Sequence, residues 1–214
     1  MDNIIHRYIE SLIKSRDPLF AEMEAFAQEH GVPIMEPTGI EAMLQIMRIQ
    51  QPKRILEIGT AIGYSALRMA AALPETKIIT IERDELRYQQ AMDYIESSGF
   101  GERVEVLFGD ALELVEQAGE KGPYDAIFID AAKGQYTKFF ESYSAFLTPE
   151  GTVFTDNVLF KGYVAGIPVE SKRIINLVKK IRSYNEWLMN HPGFDTAIFP
   201  VGDGLAVSHK RGGK

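Results

Sequence analysis

Two glycines follow an apolar stretch and a carboxylate in "RILEIGTAIGYSA", residues 54–66. This order predicts a strand that ends at a glycine turn and leads into a helix. Gly59 and Gly63 would let the backbone approach a ligand, which the free N–H groups of the helix N-terminus would face. The third glycine of a dinucleotide fingerprint is missing, and Glu57 would repel a pyrophosphate. The pattern therefore favours a bound cofactor that carries positive charge.

Further carboxylates end the next two strand-like runs. Glu82, in "TIERD", is placed to accept hydrogen bonds from two ribose hydroxyls. Asp110, in "GDA", is placed to bond an adenine amino group. Each acid alone is more often a solvated residue or a helix cap. Together with Glu57 and the glycine turn, they describe a nucleoside with a cationic, phosphate-free extension, which is S-adenosylmethionine.

A second polar set follows the fourth and fifth strand-like runs. Asp130 ends "IFID", and Asp156 and Asn157 follow "VFT". Adjacent parallel strands bring such ends together, and an oxygen-only donor set suits Mg²⁺ or another divalent cation. Taken singly, either aspartate would be a helix cap, but the three together favour a metal site beside the cofactor. Lys133 is either a surface lysine or the group that takes the proton from a substrate hydroxyl at the metal.

Alternating strands and helices must position these side chains. The runs "RILEIG", "KIITIE", "RVEVLFG", "YDAIFID" and "GTVFTD" predict parallel strands, and "DTAIFPVGDGLAVSH" predicts a closing antiparallel hairpin. Predicted helices cover 3–14, 18–30, 38–49, 64–72, 85–97, 111–118, 136–146 and 170–190. The predicted fold is therefore α/β, with a doubly wound, mostly parallel seven-stranded sheet. We expect one domain over 1–214, in which 1–50 is an N-terminal helical extension.

Composition narrows the class of protein. The chain has 214 residues, 45% of them hydrophobic, which suits one domain. The lack of cysteine excludes disulfides, thiolate zinc sites and a cysteine nucleophile. No apolar run approaches the ~20 residues of a membrane span, so we expect a cytoplasmic protein without a membrane partner. The net charge of −7 argues against nucleic acid, although residues 161–182 carry six Lys or Arg and one acid. The simplest interpretation of that basic segment is a solvated helix face.

The motifs "ILEIGTAIGYS", "TIE", "GDA", "DAAKGQY" and "TDN" resemble the metal-dependent O-methyltransferases of the catechol and caffeoyl-CoA group. The resemblance spans essentially the whole chain and implies a Rossmann-like methyltransferase fold. It implies Asp130, Asp156 and Asn157 as metal ligands, and Lys133 with Asp130 as catalytic residues. The cofactor-binding positions, including those expected from the glycine turn, are Met35, Glu57, Gly59, Gly63, Ser65, Glu82, Asp110, Ala111 and Asp130.

Within this group, "VPIME", "WLMNHP" and "PVGDGLA" are similar to bacterial enzymes that methylate 5-hydroxyuridine at the tRNA wobble position. That resemblance implies a tRNA anticodon loop as partner and 5-methoxyuridine as product. The nearer alternative is a small-molecule catechol or caffeoyl-CoA-type methyltransferase with the same residues in the same roles. The farther alternative is a dehydrogenase or a non-catalytic nucleotide-binding module. The group also suggests a homodimer formed through the N-terminal helices.

Overall fold

A computed structural model of the chain describes residues 2–14 and 16–212. Met1, Ser15, Gly213 and Lys214, which the predicted domain includes, lie outside the described residues. The helices are α1 (Asp2–Leu12), α2 (Pro18–His30), α3 (Pro37–Gln50), α4 (Tyr64–Ala72), α5 (Glu85–Ser98), α6 (Val115–Glu120), α7 (Tyr136–Ser144) and α8 (Lys172–Met189). The strands are β1 (Arg54–Ile58), β2 (Lys77–Glu82), β3 (Val104–Phe108), β4 (Tyr124–Ile129), β5 (Leu147–Thr155), β6 (Phe194–Phe199) and β7 (Leu205–Lys210). Short 3-10 turns cover Lys133–Gln135 and Phe160–Ala165.

The described strands form one seven-stranded sheet in the order β3-β2-β1-β4-β5-β7-β6. β1 pairs in parallel with β2 and β4, β2 pairs in parallel with β3, and β4 pairs in parallel with β5. β7 runs antiparallel to both β5 and β6. The predicted doubly wound, mostly parallel sheet with a C-terminal antiparallel hairpin is confirmed. The strand order reverses between β1 and β4, where such sheets bind their ligands.

Apolar side chains fill both faces of the sheet. On β1, Ile55 and Leu56 are fully buried on opposite faces. One face packs against α2, α3 and α4, and the other packs against α7 and α8. Because Met23 and Met43 belong to the first of these cores, α2 and α3 are part of the domain's core. The apolar residues of α1 face outward instead.

Helix boundaries follow local capping. Asp17 accepts a hydrogen bond from the Leu19 amide, and Gly31 ends α2 in a left-handed conformation. The helix predicted over 111–118 begins only at Val115. The Asp110 side chain and carbonyl accept amides of residues 112–114, and this turn replaces the first helical turn. Across the part of the chain described here, no helix is long and apolar enough to cross a membrane.

Candidate active site

A cavity of about 380 Å³ lies at the carboxyl ends of the parallel strands. Its size is that of a small-molecule ligand pocket. Its wall brings together predicted residues from six segments of the chain: Met35, Gly59, Ser65, Glu82, Asp110, Ala111, Asp130, Lys133 and Asn157. Three further predicted residues, Glu57, Gly63 and Asp156, do not line the cavity. Tyr64, Arg83 and Gln135 also line the cavity. The sequence reasoning missed them, although each adjoins a motif it used.

The glycine turn requires a close approach between two strands. Gly59 has φ +104°, and a Cβ there would collide with the carbonyl of Asp130 at the end of β4. Gly63 has φ +86° immediately before α4, and its amide donates to the carbonyl of Thr60 at 2.8 Å. Glycine is therefore needed at Gly59 for the ends of β1 and β4 to meet, as they do at the cavity floor.

Glu57 is fully buried and does not face the cavity. Its carboxylate accepts a hydrogen bond from the Thr80 hydroxyl at 2.6 Å and another from the Ser65 hydroxyl. Burial raises the pKa of Glu57 to about 8, although both hydrogen bonds oppose that shift. The structure thus places Glu57 behind Ser65, a residue of the cavity wall, whose hydroxyl it orients.

Glu82 ends β2 with its carboxylate at the cavity wall. One oxygen, Oε1, accepts the amides of Arg83 and Asp84, and Oε2 accepts the amide of Ala61, each at 2.8 Å. A carboxylate has about four lone-pair directions, so these bonds leave roughly one free, on Oε2. The carboxylate is thereby fixed in orientation, with an acceptor available for a ribose hydroxyl.

Asp110 and Arg83 pair at the same end of the cavity. The Nη1 atom of Arg83 lies 3.4 Å from Oδ2 of Asp110, while Oδ1 accepts the Leu112 amide at 2.9 Å. Since the Arg83 side chain is 67% exposed, solvent screens this ion pair. An adenine amino group would therefore compete with the exposed Arg83 guanidinium for the Asp110 carboxylate, which the sequence did not suggest.

The predicted metal ligands lie together at the opposite end of the cavity. Asp156 is 2% exposed, and its Oδ2 accepts a hydrogen bond from Asn157 Nδ2 at 3.0 Å. Burial raises the pKa of the Asp130 and Asp156 carboxyls, and the charge of Asp130 raises that of Asp156 further. Within residues 2–14 and 16–212, no three His, Cys, Asp or Glu are arranged to hold a metal ion, so a site here needs the Asn157 amide. Two repelling carboxylates fit a hard divalent cation, and the Asn157 amide completes the donor set once its oxygen, which here accepts from Lys133, turns towards them.

Lys133 connects this ligand cluster to the loop beyond it. Its Nζ donates to Oδ1 of Asn157 and lies 5.9 Å from the centroid of the Phe160 ring. Asn157 itself has φ +58°, an uncommon conformation for a residue other than glycine. The ammonium group therefore stands within the cavity wall beside the predicted metal site, where a reacting hydroxyl would lie.

A network of polar side chains links the cavity wall at Tyr64 to the N-terminal helices. The Tyr64 hydroxyl donates to Glu24 of α2 and accepts from Arg68 at 2.7 Å. Arg68 also pairs with Glu41 of α3, and Arg16 pairs with Glu24. Because Tyr64 lines the cavity, the N-terminal helices and the ligand site share one network.

The O-methyltransferase family model matches residues 11–211, a range that includes the whole sheet and the cavity. The chain belongs to this O-methyltransferase family. It is 30% identical to the catechol O-methyltransferase of Niastella koreensis, with 95% of each chain covered. Among solved structures it is similar to a Staphylococcus aureus protein described as a candidate caffeoyl-CoA O-methyltransferase, at 39% identity and TM-score 0.92, covering 97% of this chain and 100% of that one. A Bacillus cereus O-methyltransferase in complex with SAH is 26% identical, with TM-score 0.83 and 97% of both chains covered.

Proposed function

We propose that this chain transfers a methyl group from S-adenosylmethionine to a hydroxyl that has a second oxygen beside it. The observation that carries this proposal is that one cavity has Glu82 at one end and Asp130, Lys133 and Asn157 at the other. The first end suits a nucleoside, and the second suits a chelating acceptor. The SAH complex of the Bacillus cereus relative supports the choice of cofactor.

In the proposed reaction, the hydroxyl oxygen attacks the sulfonium methyl in line, so a C–O bond forms as the C–S bond breaks. Asp130, Asp156 and Asn157 would hold a divalent cation, whose Lewis acidity would favour loss of the hydroxyl proton. Lys133 Nζ takes that proton when neutral, or stabilises the oxyanion when charged. Gly59 and Ser65 shape the wall on which the cofactor rests. Most of the acceleration then comes from positioning and charge neutralisation.

Small catechols are the acceptors that the relatives support best. The catechol O-methyltransferase of Niastella koreensis matches nearly the full chain, and two vicinal hydroxyls meet the chelation requirement. The test is transfer of labelled methyl from S-adenosylmethionine to a small catechol, with Mg²⁺ and with EDTA. We expect one methyl ether in Mg²⁺ and none in EDTA. Tight binding of NAD in place of S-adenosylhomocysteine would instead support a dehydrogenase.

A second candidate acceptor is 5-hydroxyuridine in tRNA, whose 5-hydroxyl and 4-carbonyl oxygens are also adjacent. One observation favours it: the basic face of α8 adjoins the cavity. Lys180 Nζ lies close to Gly134, in the turn that begins at Lys133, and Arg182 donates to the Val164 carbonyl at 2.8 Å. An anticodon-loop base is already unpaired, so presenting it costs little. A cytoplasmic location, where tRNA occurs, belongs to the same proposal.

Nucleoside mass spectrometry separates the two acceptors. In tRNA from cells that lack this protein, the tRNA proposal expects 5-methoxyuridine to disappear and 5-hydroxyuridine to accumulate. Unchanged tRNA nucleosides together with efficient catechol methylation would leave the small-molecule function alone.

We also propose that the protein forms a homodimer through α1. Its exposed apolar side chains include Ile4, Ile5, Tyr8, Ile9 and Leu12, and Ile4 is 73% exposed. An apolar helix face of this kind is unfavourable in water and is typical of an interaction surface.

A further inference from the structure

The backbone just after β5 is unusual. Asn157, Phe160 and Lys161 all have φ between +44° and +58°, although none is glycine. We call residues 157–161 the ligand loop, because Asn157 is the predicted metal ligand and Phe160 carries the ring that Lys133 contacts. Such conformations persist only where surrounding contacts impose them, and they cluster at functional sites. Contacts with another part of the chain therefore hold this loop.

The turn between β6 and β7, residues 202–204, supplies them. The Asp203 carbonyl accepts the amides of Leu159 at 3.0 Å and Phe160 at 3.2 Å, and the Gly204 carbonyl accepts that of Val158 at 3.0 Å. In addition, the Asp203 carboxylate accepts the amide of Lys161 through Oδ1. Four successive amides of the loop are therefore bound by this one turn.

The turn itself is anchored to α3. The amide of Gly202 donates to the Thr38 hydroxyl at 3.1 Å, and a Cβ on Gly202 would lie 3.3 Å from the Gly39 Cα. A Cβ on Gly204 would collide with Leu159. The ligand loop thus rests on a turn that is packed too closely on both sides to shift alone.

We propose that Asp203 is a positioning residue for methyl transfer: its carboxylate holds the ligand loop so that Asn157 and Phe160 present the Lys133 ammonium group to the acceptor. This inference deepens the proposed function and rests on it. Asp203 acts through the loop, because its contacts are with the amides behind the cavity wall. Its loss releases the Lys161 amide, so the end of the loop beside Phe160, one partner of Lys133, is held by fewer bonds. The cofactor end of the cavity, at Glu82, keeps its own contacts.

The expected result is a split between turnover and cofactor affinity. In Asp203→Ala, kcat for a small catechol falls roughly 10- to 100-fold, the effect of misplacing a catalytic group by about 1 Å. The Kd of S-adenosylhomocysteine, measured by titration calorimetry, stays close to that of the unaltered protein. Asp203→Asn retains an acceptor oxygen and restores most of kcat. The matched control is Asp195→Ala on the same hairpin, where the exposed acid pairs with Arg211 and not with the ligand loop, and it keeps full activity.

Hydrogen exchange gives a readout that does not depend on turnover. Amides of residues 159–161 exchange faster in Asp203→Ala than in Asp195→Ala, while those of β1 are unchanged. Unaltered exchange or kcat in Asp203→Ala overturns the proposal, and equal damage in Asp203→Asn shows that charge rather than hydrogen bonding matters. If Asp203→Ala does not fold, Thr38→Val, which removes the anchor of the turn, is compared with the unaltered protein in the same assays. If this variant keeps full kcat and its loop amides stay protected from exchange, the result counts against the proposal. If the unaltered protein methylates no acceptor, the proposed function fails while the exchange data still judge the role of Asp203.

Discussion

The carboxylate of Glu57 lies 2.6 Å from the hydroxyl of Thr80, on the neighbouring strand, and is sealed from solvent. The Thr80 hydroxyl is in turn 2.7 Å from that of Thr60, in the glycine turn. A buried carboxyl therefore joins β1, β2 and the turn between β1 and α4, and Ser65 completes the set. The acid that opens the glycine motif thus stabilises the shape of the turn.

Substitution of Glu57 tests this role through the pH dependence of stability. Its pKa is raised from 4.5 to about 8 by burial, so its contribution to stability is full below about pH 4.5 and is lost as the pH rises through about 8. Glu57→Gln removes that loss. In EDTA, the fall in Tm between about pH 5 and pH 9 should be smaller for the variant. An equally steep fall in both proteins would show that Glu57 ionises freely.

Glu82→Ala should weaken S-adenosylmethionine binding by ~1.5–3 kcal/mol, the range for a hydrogen bond to a charged group. The variant also releases the amide of Ala61, which loosens the same wall. Titration calorimetry measures the affinity, and circular dichroism checks the fold. Glu85→Ala, an exposed acid at the start of α5, is the matched control and should bind normally. Unchanged affinity in a folded Glu82→Ala protein would remove Glu82 from the cofactor site.

Chelation tests the metal prediction. EDTA should abolish turnover and Mg²⁺ should restore it, because the donors available are oxygens of Asp130, Asp156 and Asn157. Asp156→Ala should lose activity while it largely retains S-adenosylhomocysteine, since Asp156 lies behind the wall at the end away from Glu82. Full activity in EDTA would exclude a metal-dependent reaction.

Charge reversal on α8 tests the tRNA proposal. Lys179→Glu with Lys180→Glu should raise KM for tRNA, make that KM less dependent on salt concentration and leave catechol methylation nearly unchanged, because fewer electrostatic phosphate contacts remain. The control is Lys53→Glu with Lys77→Glu, at the opposite end of the strands. Equal effects of the α8 variant on both acceptors would indicate general damage.

The dimer proposal rests on α1. Ile4→Glu with Tyr8→Glu should convert the protein to a monomer in light scattering, because two charges would enter an apolar interface. Ile49→Glu provides a control on another helix, since Ile49 is 77% exposed and apolar. A monomeric unaltered protein at micromolar concentration would contradict the proposal.

The fold was predictable because its signals are local. Alternation of apolar strands with capped helices, and the Gly-Asp-Gly turn before β7, each depend on a few neighbouring residues. The error at α6 has the same origin, since Asp110 caps a tight turn that looks helical in composition alone. Strand ends could be placed together because parallel strands leave their carboxyl ends at one edge.

The rest of the site depends on contacts between residues far apart in sequence. Nothing near Tyr64 indicates that its hydroxyl meets Glu24, 40 residues earlier. Asp203 could be predicted as a turn residue, but its contact with Lys161 arises only when β7 inserts between β5 and β6. The direction of a side chain at a strand end could not be predicted from the sequence either. A carboxylate at a strand end can face the cavity, as Glu82 does, or turn into the sheet, as Glu57 does.

The bond between the Gly202 amide and Thr38 joins residues 164 positions apart, and this distance imposes an order on biosynthesis. When β1 to β5 have left the ribosome, the turn at residues 202–204 has not yet been made. The segment before α3, which carries Met35, and the ligand loop are then not joined to each other. The site is therefore completed late, after residue 204 has emerged, and a nascent chain should not retain cofactor before then. Stalled chains that expose residues 1–199 should release S-adenosylhomocysteine quickly, whereas chains that expose residues 1–212 should hold it. Equal retention by both would show that the two halves of the site form independently.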